Sequence, residues 1–478
     1  MLLVLEQFWC GLSRLLYVTS WNDSNVAELV NGSYIPVRVD ADRRPDVDHR
    51  YAVGSWPAVV FLTPDLKPIL GTGFVPPDVL LDALGSIAAM YRDNQAEITA
   101  RVAAVEEQAE LYESARIDAS RSPSPWMTGR ILDMISDTAD TDFGGFGQAP
   151  KFPHFDALEL LLEVHQRAAQ EKLQQQKKLI GLAVSALDAM MQNGLYDWED
   201  GGFFRCSDEP DWSSPRLEKL LCDQSRHVHL FLLAHENSGD VEYREAAEGT
   251  VDYMFRMLHD PASGCFHSSQ AADPEYYQMS RGEREKAARP AADPTTMAGS
   301  QCRAVRALLY AAPRLGQSAL AGQALRALDV LLERLCPDDG LAFHYWNGAP
   351  RVRGLLADQA EIGLALLDAA AASGGAHYAD RALALGGRVH ELLFDPRQAG
   401  YFDAADPLGL GLLGGRSKSF DGNTGLAVFF GRLADATGDE KWRARAVTAL
   451  AGFTGVWDRL GVSSAKYGLG LLHAFGGG

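Results

Sequence analysis

The chain has 478 residues, of which 47% are hydrophobic and 22% are charged, and its formal net charge is −19. This length exceeds one ordinary hydrophobic core, so we expect at least two domains. A surface so acidic repels phosphate backbones and anionic lipid headgroups, which argues against nucleic acid and membrane as partners. No apolar run reaches the roughly 20 residues that a membrane span requires.

The cysteines and the N-terminus favour a cytoplasmic protein. The six cysteines are scattered, with no CxxC pair and no Cys/His cluster, which argues against a metal site and fits a reducing compartment. Residues 1–5 are apolar, but no basic residue precedes them and Glu6 follows at once. A buried strand therefore explains them better than a signal peptide.

The first hundred residues follow the order of a thioredoxin-like domain. Residues 2–5 predict a strand that leads directly into a helix, and residues 34–40, 58–63 and 68–74 predict three further strands. The run AVVFLT at 58–63 is continuously apolar, as expected of a central strand. Residues 76–92 predict a closing helix with proline near its first turn.

A helix and a linker come next in the chain. Residues 93–119 are rich in alanine, glutamate and glutamine and predict a helix. The run SRSPSP at 120–125 breaks that helix and predicts a linker. We therefore expect a thioredoxin-like domain at 1–95, a helix and linker at 96–125, and a second domain at 126–478.

The second domain is predicted to be an α/α toroid of six helical hairpins. A glycine-aromatic turn recurs five times, and its phenylalanines lie 57 to 77 residues apart. Two helices of about 15–20 residues fill such a period, and glycine supplies the positive φ angles. A closed ring is favoured over an open solenoid because both ends of the repeat stay apolar. The phenylalanines of these turns are Phe146, Phe203, Phe266, Phe343 and Phe402.

A short polar residue recurs before the apolar run of each predicted inner helix. If the inner helices start at one mouth of the toroid, these side chains surround that mouth. They are Asp156, Asp223, Ser300, Asp358 and Asn423.

Motifs along the chain resemble those of the YyaL and spermatogenesis-associated protein 20-like family. The motifs are VRVDADRRPDVD at 37–48, WPAVVFLTPD at 56–65, GTGFVP at 71–76 and GGFGQAPKFP at 144–153. A weaker match at 212–224 and substitutions at several motif positions mark a divergent member. The resemblance implies a thioredoxin-like domain joined to a six-hairpin barrel.

The resemblance also identifies a damaged redox motif. The family opens its first helix with Cys-His-Trp-Cys facing a cis-proline, whereas this chain has Gln7 at the first cysteine position and Cys10 at the second. The resemblance implies that Trp56–Pro57 is the cis bond and that the domain is abbreviated ahead of its first strand. Disulfide exchange needs an attacking thiolate and a resolving thiol. We therefore expect dithiol redox activity to be lost, with Cys10 and Pro57 as remnants of the site.

Six-hairpin barrels commonly bind sugars at the mouth, which makes a glycosidase or a sugar epimerase the enzyme hypothesis. A glycosidase needs two carboxyl groups, and the catalytic candidates are Asp223, Asp358 and Glu361. N-capping is the simpler explanation of the aspartates, and their recurrence supports it because a structural cap should recur in each hairpin. An epimerase needs acid and base groups, usually histidines; of His227 and His229, at most one faces the inside of the ring.

Further residues are predicted to contact a sugar-like ligand. His344 lies beside two aromatic residues that suit sugar stacking, and the residues of the glycine-rich signature either bind an anionic group or shape the turn. The predicted ligand-binding residues are Lys151, His154, Trp212, His344, Trp346, Asp421 and Asn423.

The sequence leaves three functions open. They are a carbohydrate-active enzyme, a non-catalytic scaffold or pseudoenzyme, and, less favoured, a thioredoxin-type oxidoreductase. No phosphate-binding loop, nucleophile elbow or metal-spaced motif is found, so no cofactor is expected.

Overall fold

A computed structural model of the protein describes residues 1–118, 120–167, 173–405, 409 and 411–476. Ala119, at the end of the predicted helix, and Gly477 and Gly478, at the end of the predicted toroid, lie outside the described residues. The chain forms two units, one of Met1–Arg116 with Ala404–Ser417 and one of Ile117–Asp403 with Lys418–Gly478.

The first unit is built on a four-stranded sheet with the order β2-β1-β3-β4. Strand β1 pairs in parallel with β2 and antiparallel with β3, and β4 is antiparallel to β3. Every residue of β3 is buried, as the apolar run predicted for a central strand. The strands are β1 (Leu2–Glu6), β2 (Pro36–Asp40), β3 (Ala58–Leu62) and β4 (Pro68–Thr72).

Helices cover both faces of this sheet because its strand residues alternate between two apolar clusters. Val4 and Phe61 point into one cluster, while Leu3 and Val60 point into the other. The helices are α1 (Gly11–Leu16), α2 (Ser24–Ser33), α3 (Pro45–Tyr51), α4 (Pro77–Asp93) and α5 (Gln95–Ala115). Helix α5, which the sequence placed in the linker region, packs on α4 and β4 and belongs to the first unit.

The described residues of the second unit form six helical hairpins. The helices are α6 (Trp126–Asp137), α7 (Phe155–Arg167), α8 (Leu173–Gln192), α9 (Leu221–Ser238), α10 (Val241–Tyr253), α11 (Pro274–Tyr277), α12 (Arg281–Arg284), α13 (Ala298–Leu315), α14 (Ser318–Leu335), α15 (Leu356–Ser373), α16 (Ala376–Leu393), α17 (Phe420–Thr437), α18 (Lys441–Ala451) and α19 (Ala465–Ala474). Short strands lie in the connections: β5 (Lys219–Leu220), β6 (Ser269–Gln270), β7 (Ala292–Asp293), β8 (Thr296–Met297), β9 (Phe343–Trp346) and β10 (Pro350–Arg353).

The hairpins close into a ring. Helices α7, α9, α13, α15, α17 and α19 each pack on the next, and α19 returns to pack on α7. Each inner helix has one outer partner, with α6 completing the hairpin of α19. The predicted closed α/α toroid is therefore confirmed.

Amide side chains tie the turns to the inner helices. Gln224, the fourth residue of α9, accepts from the backbone N–H of Phe203 and donates to its carbonyl oxygen, both at 2.7 Å. Asn423, the fourth residue of α17, makes the same pair with Tyr401 at 2.7 and 2.9 Å. Gln301 pairs with Phe266 and Gln359 with Ala342 in the same way.

These amide pairs correct the N-capping hypothesis. The N-caps of α9, α13 and α15 are extended apolar residues that make no side-chain cap bond, and Asp223 and Asp358 lie inside the first helical turn. The recurring structural role is carried by the amide at the fourth position of four inner helices, α9, α13, α15 and α17. Asn423, predicted to bind a ligand, is fully buried in such a pair.

Buried lysines hold the aspartates that open three of the turns. Lys219 Nζ lies 2.7 Å from Asp197 Oδ2 and donates to the carbonyl oxygen of Gly201 at 2.8 Å. Lys418 makes the same contacts with Asp395 and with the carbonyl oxygen of Ala399. Lys151 likewise pairs with the aspartate of the first turn, Asp140, so these lysines shape the turns.

Candidate functional site

A central cavity of about 860 Å³ lies inside the ring. One face of each inner helix lines it, and residues at intervals of three and four recur because they share a helix face. Helix α13 lines the cavity from Arg303 to Gly316, a span of about 20 Å at the helical rise per residue. The volume fits a small-molecule ligand larger than one sugar ring.

The charged side chains of the central cavity form successive layers along the ring axis. The layer nearest the helix starts contains Asp156, Arg226, Arg303, Glu361, Gly425 and Lys466. The next layer contains Glu159, His229, Arg306, Leu364, Val428 and Leu469. The third contains Glu163, Tyr310, Asp368, Arg432 and His473.

Ion pairs between neighbouring helices hold most of these charges. Arg303 Nη2 lies 2.7 Å from Glu361 Oε1, and Arg306 lies 3.3 Å from the other oxygen of Glu361. Asp368 receives Arg306 at 2.9 Å and Arg432 at 2.6 Å. Arg226 pairs with Asp156 in the first layer.

These arginines fix the charge of three carboxylates. Burial would raise the pKa of Glu361, but Arg303 and Arg306 lower it below its usual value. The same opposition lowers the pKa values of Asp156 and Asp368. All three side chains are therefore ionised at neutral pH.

Two histidines in the central cavity each lie beside a glutamate. His229 Nε2 is 3.8 Å from Glu159 Oε1, and His473 Nε2 is 3.7 Å from Glu163 Oε2. Burial lowers the pKa of His229, and burial together with Arg167 and Arg432 lowers the pKa of His473 to about 3. Both imidazoles are neutral at pH 7 and can accept a proton.

Glu163 is the carboxyl group whose titration differs most from the others in the central cavity. Burial and the neighbouring charge of Glu159 raise its pKa to about 7. A pKa this close to neutral pH allows Glu163 to donate a proton as well as accept one.

The predicted catalytic carboxyls do not come together in the central cavity. Glu361 lines it, but Asp223 and Asp358 are not among its lining residues. Asp358 Oδ2 lies 2.9 Å from His344 Nδ1, and Asp223 Oδ1 lies 3.4 Å from Cys222 Sγ. The three carboxyls therefore do not all line the central cavity.

Three predicted ligand contacts lie at the glycine-rich signature instead of the cavity. Trp212 is fully buried and donates from Nε1 to the carbonyl oxygen of Phe143 at 3.2 Å. Lys151, also fully buried, lies over the Trp212 ring. The edge of His154 packs on Phe146, and burial lowers its pKa. The Lys151 and Trp212 predictions are corrected, because both side chains are closed off from solvent.

The remaining predicted contacts lie near the starts of inner helices. Trp346 and Asn347 line a second cavity of about 320 Å³, in which the Arg334 guanidinium lies 5.5 Å from the centre of the Trp346 ring. His344 is on the same strand but is occupied by Asp358. Asp421 is largely exposed and lies 3.4 Å from Lys466 Nζ.

The first unit contains Gln7 and Cys10, which the resemblance places at the two cysteine positions of the family motif. Cys10 is buried and its Sγ lies 3.8 Å from the carbonyl oxygen of Trp56, next to the cis bond Trp56–Pro57. Gln7 Nε2 donates to Asp42 Oδ1 at 3.1 Å, and Trp9 Nε1 donates to Asp42 Oδ2 at 2.7 Å. No disulfide joins Cys10 to another cysteine.

The described residues contain neither a candidate metal site nor a candidate membrane span. No group of three or more His, Cys, Asp or Glu side chains in the described ranges has an arrangement that could hold a metal ion. None of the helices described here is both long enough and apolar enough to cross a membrane.

Comparisons with known proteins agree with the motifs. Residues 1–110 match the Thioredox_DsbH family model, whose description is "protein of unknown function, DUF255". Over 289 residues the chain is 30% identical to spermatogenesis-associated protein 20 of Mus musculus, covering 55% of this chain and 35% of that protein. The resemblance predicted from the motifs is confirmed. The chain spans about a third of the length of the curated relatives it matches.

Solved structures with the same ring fold include carbohydrate-processing enzymes. Cellobiose 2-epimerase from Bacillus thermoamylovorans superposes with a TM-score of 0.52 at 11% identity, covering 66% of this chain and 82% of that one. A GH76 α-mannanase from Bacteroides thetaiotaomicron gives 0.51 at 10% identity, covering 72% and 96%. At these identities the matches show the six-hairpin fold alone.

Most residues of the central cavity were missed in the sequence, although a signal was present. Charged residues at helical spacing interrupt inner helices that are otherwise apolar, as at Arg303 and Arg306 or at Lys466 and His473. A charged stripe on a buried helix has to face a cavity or a partner charge. The sequence-based prediction named polar residues at the helix starts, near the side chains that hold the turns, and left out this charged stripe.

Proposed function

We propose that the central cavity binds a sugar-like molecule and transfers a proton at the carbon next to its carbonyl group, as in epimerisation or isomerisation. The observation that supports this is the presence of two neutral imidazoles, His229 and His473, each beside a glutamate in one cavity. Proteins of similar fold include a cellobiose 2-epimerase and a D-mannose isomerase, which agrees with this chemistry.

The proposed reaction requires a base and an acid at one carbon. One imidazole removes the proton from carbon 2 of the open-chain sugar, while a protonated group donates to the carbonyl oxygen and an enediol forms. Return of a proton to the opposite face of carbon 2 gives the epimer, and its return to carbon 1 gives the ketose.

Histidine and glutamate share these roles in the proposal. Both imidazoles stay unprotonated across the physiological range and are therefore free to take up a proton, although the lowered pKa makes each a weaker base than free imidazole. Glu163, with its pKa raised to about 7, supplies the proton for the carbonyl oxygen. Arg306 and Arg432 in the neighbouring layers stabilise negative charge on the enediol oxygens.

Solvent exchange at carbon 2 tests the proposal directly. The protein is incubated in D2O with glucose, mannose, cellobiose and glucuronate, and deuterium at carbon 2 is followed by proton NMR. We expect incorporation into at least one of these sugars, lowered about 10²–10⁴-fold in His229→Asn and His473→Asn. His235→Asn is the matched control, because His235 is on α9 but does not line the central cavity.

The same samples separate the alternatives. Sugar binding without deuterium incorporation would contradict the proposal and favour a non-catalytic binding protein. Hydrolysis is the second candidate, favoured by one carboxyl of raised pKa (Glu163) in the same cavity as an ionised one (Asp368). Release of free sugar from an oligosaccharide, with loss in Glu163→Gln, would support hydrolysis.

We infer that the first unit has no dithiol redox activity. Gln7 occupies the position of the attacking cysteine in the family motif, and Cys10 is buried against the Trp56 carbonyl. We expect insulin reduction at the background rate, unchanged in Cys10→Ser. Turnover comparable to that of an active thioredoxin, lost in Cys10→Ser, would contradict this inference.

A further inference from the structure

The charge of the central cavity differs from that of the whole chain. The chain carries 63 acidic and 44 basic residues, yet six cations and five carboxylates line the cavity in the described part of the chain. The cations are Arg226, Arg303, Arg306, Arg314, Arg432 and Lys466. In an acidic protein, a cavity so rich in cations can attract a negatively charged ligand.

Lys466 is the cation that a ligand can engage most easily. Its carboxylate partner within 4.0 Å, among the residues described, is Asp421 at 3.4 Å, whose side chain is 73% exposed, and from a greater distance Lys466 also helps to lower the pKa values of Asp156 and Glu361. An ion pair so open to solvent contributes little stability. The cavity arginines of the first two layers, in contrast, are held by buried carboxylates such as Glu361.

An open space lies in the same layer as Lys466. Helix α17 contributes Gly425 to the cavity wall, where the neighbouring inner helices contribute Glu361 and Lys466. A Cβ atom on Gly425 would meet one heavy atom within 4 Å in the described part of the chain, Ala360 Cβ at 3.8 Å. The missing side chain leaves room for a ligand group beside the lysine.

We propose that the ligand of the central cavity is an acidic sugar, whose carboxylate or phosphate binds Lys466 in the space beside Gly425. This inference rests on the proposed function, since it names the class of molecule on which the histidines act. Arg303 lies in the same layer and faces Glu361. Arg303 adds positive charge to this layer while its ion pair with Glu361 stays intact.

The chemistry of Lys466 agrees with this assignment. Its ammonium group is a compact charge that suits a carboxylate or a phosphate, and it needs no fixed bidentate geometry. The nearest histidine on the same helix, His473, lies seven residues further along α19 and is therefore about 10 Å deeper. An acidic group at Lys466 would therefore place the other end of an open-chain sugar near His473.

Calorimetric titration of the full chain with matched sugars tests the assignment. The probes are glucuronate, glucose 6-phosphate, glucose and inorganic phosphate, each at low and at high salt. We expect glucuronate or glucose 6-phosphate to bind at least tenfold more tightly than glucose and inorganic phosphate, with the difference reduced at high salt. The comparison of the two acidic sugars identifies the anionic group.

Variants connect the binding to Lys466. Lys466→Met should lower the affinity for the acidic sugar at least tenfold, and Lys466→Arg should restore most of it. Gly425→Leu fills the space and should weaken binding similarly. Lys178→Met is the matched control, since Lys178 is exposed on α8 and does not line the central cavity.

The outcomes distinguish this inference from the proposed function. Equal affinity for glucose and the acidic sugars, or acidic-sugar binding that Lys466→Met leaves unchanged, overturns the inference. If neutral sugars still exchange deuterium at carbon 2, the proposed function survives that result. If no sugar binds, the inference fails, and the exchange experiment decides the proposed function separately.

Discussion

The turns that close the hairpins and the central cavity both hold many buried polar side chains, but the partners of those side chains differ. At the turns, Gln224 bonds to the backbone of Phe203, and Lys219 bonds to the carbonyl oxygen of Gly201 as well as to the buried Asp197. In the central cavity, Arg306 and Glu361 pair with each other from neighbouring helices, and both side chains line the cavity. A backbone partner is fixed, whereas a side-chain partner can rotate toward a ligand.

This difference indicates where to look for function in a ring of repeated hairpins. An amide side chain that bonds to the backbone of a turn recurs at four of the six inner helices, because a buried turn needs partners for its backbone groups. The charges of the central cavity do not repeat, since α7 supplies acidic residues and α13 supplies arginines at equivalent depth. Repetition therefore marks structure here, and its absence marks the candidate site.

The largest effect is expected from breaking a turn lysine. Lys219→Met leaves the buried Asp197 with Arg284 as its remaining cation and leaves the Gly201 carbonyl without its donor. Loss of one partner from a buried ion pair costs about 3–5 kcal/mol, measured as the free energy of unfolding in urea. Lys178→Met, on an exposed surface, should cost under about 0.5 kcal/mol. Equal losses would contradict the structural role.

A smaller loss is expected from an amide at a turn. Gln359→Leu keeps the volume but leaves the buried N–H of Ala342 without its acceptor, while the carbonyl oxygen of Ala342 keeps the N–H of Gly354 as a donor. We expect a loss of about 2 kcal/mol in the free energy of unfolding, with ligand binding retained in the folded protein. Gln192→Leu, at an exposed position on α8, is the control. Loss of ligand binding without loss of stability would contradict the structural role of Gln359 and indicate a role in binding.

The smallest effect is a change in pH dependence at Glu163. Its folded pKa of about 7 lies above the usual 4.5, so the folded state binds a proton that the unfolded state releases between these values. Stability therefore falls as pH rises from 4.5 through 7. Glu163→Gln removes this loss and should be more stable relative to the parent at pH 8 than at pH 5.

The expected size of that relative gain is about 1 kcal/mol or more, since each unit of pKa difference corresponds to about 1.4 kcal/mol. It is measured by calorimetric unfolding at both pH values. His473, whose folded pKa is lowered to about 3, contributes in the opposite direction below pH 6.5, so its ionisation does not produce a gain at pH 8. An unchanged difference between pH 5 and pH 8 would contradict the raised pKa of Glu163.

One argument for a pseudoenzyme weakens in the light of the turns. Substitutions at family motif positions favour the non-catalytic hypothesis, and Gln301 lies at one of these positions. In the structure it pairs with the backbone of Phe266 in the same way as Asn423 pairs with Tyr401. A substitution that keeps a structural contact gives no information about catalysis.

The sequence alone determined the repeat, the ring and the altered redox motif. Glycine-aromatic turns at regular intervals predict paired helices, because each period has room for two helices and glycine supplies the positive φ angles of the turn. Gln7 is visible at the motif position without any structure, and the resemblance correctly implied the cis bond before Pro57. The polar residues at the helix starts are also visible in the sequence. The N-capping role predicted for Asp223 and Asp358 is wrong, and the amide side chains at the fourth helical position bond to the turns instead.

Only the tertiary structure decided which side chains share the central cavity. Helical spacing indicates that Glu361 and Asp368 lie on one face, but the packing of six helices determines that this face points inward. Asp358, three residues earlier, bonds to His344 instead. The charge states of Glu163 and His473 also depend on burial among groups from other helices, which are distant in the sequence.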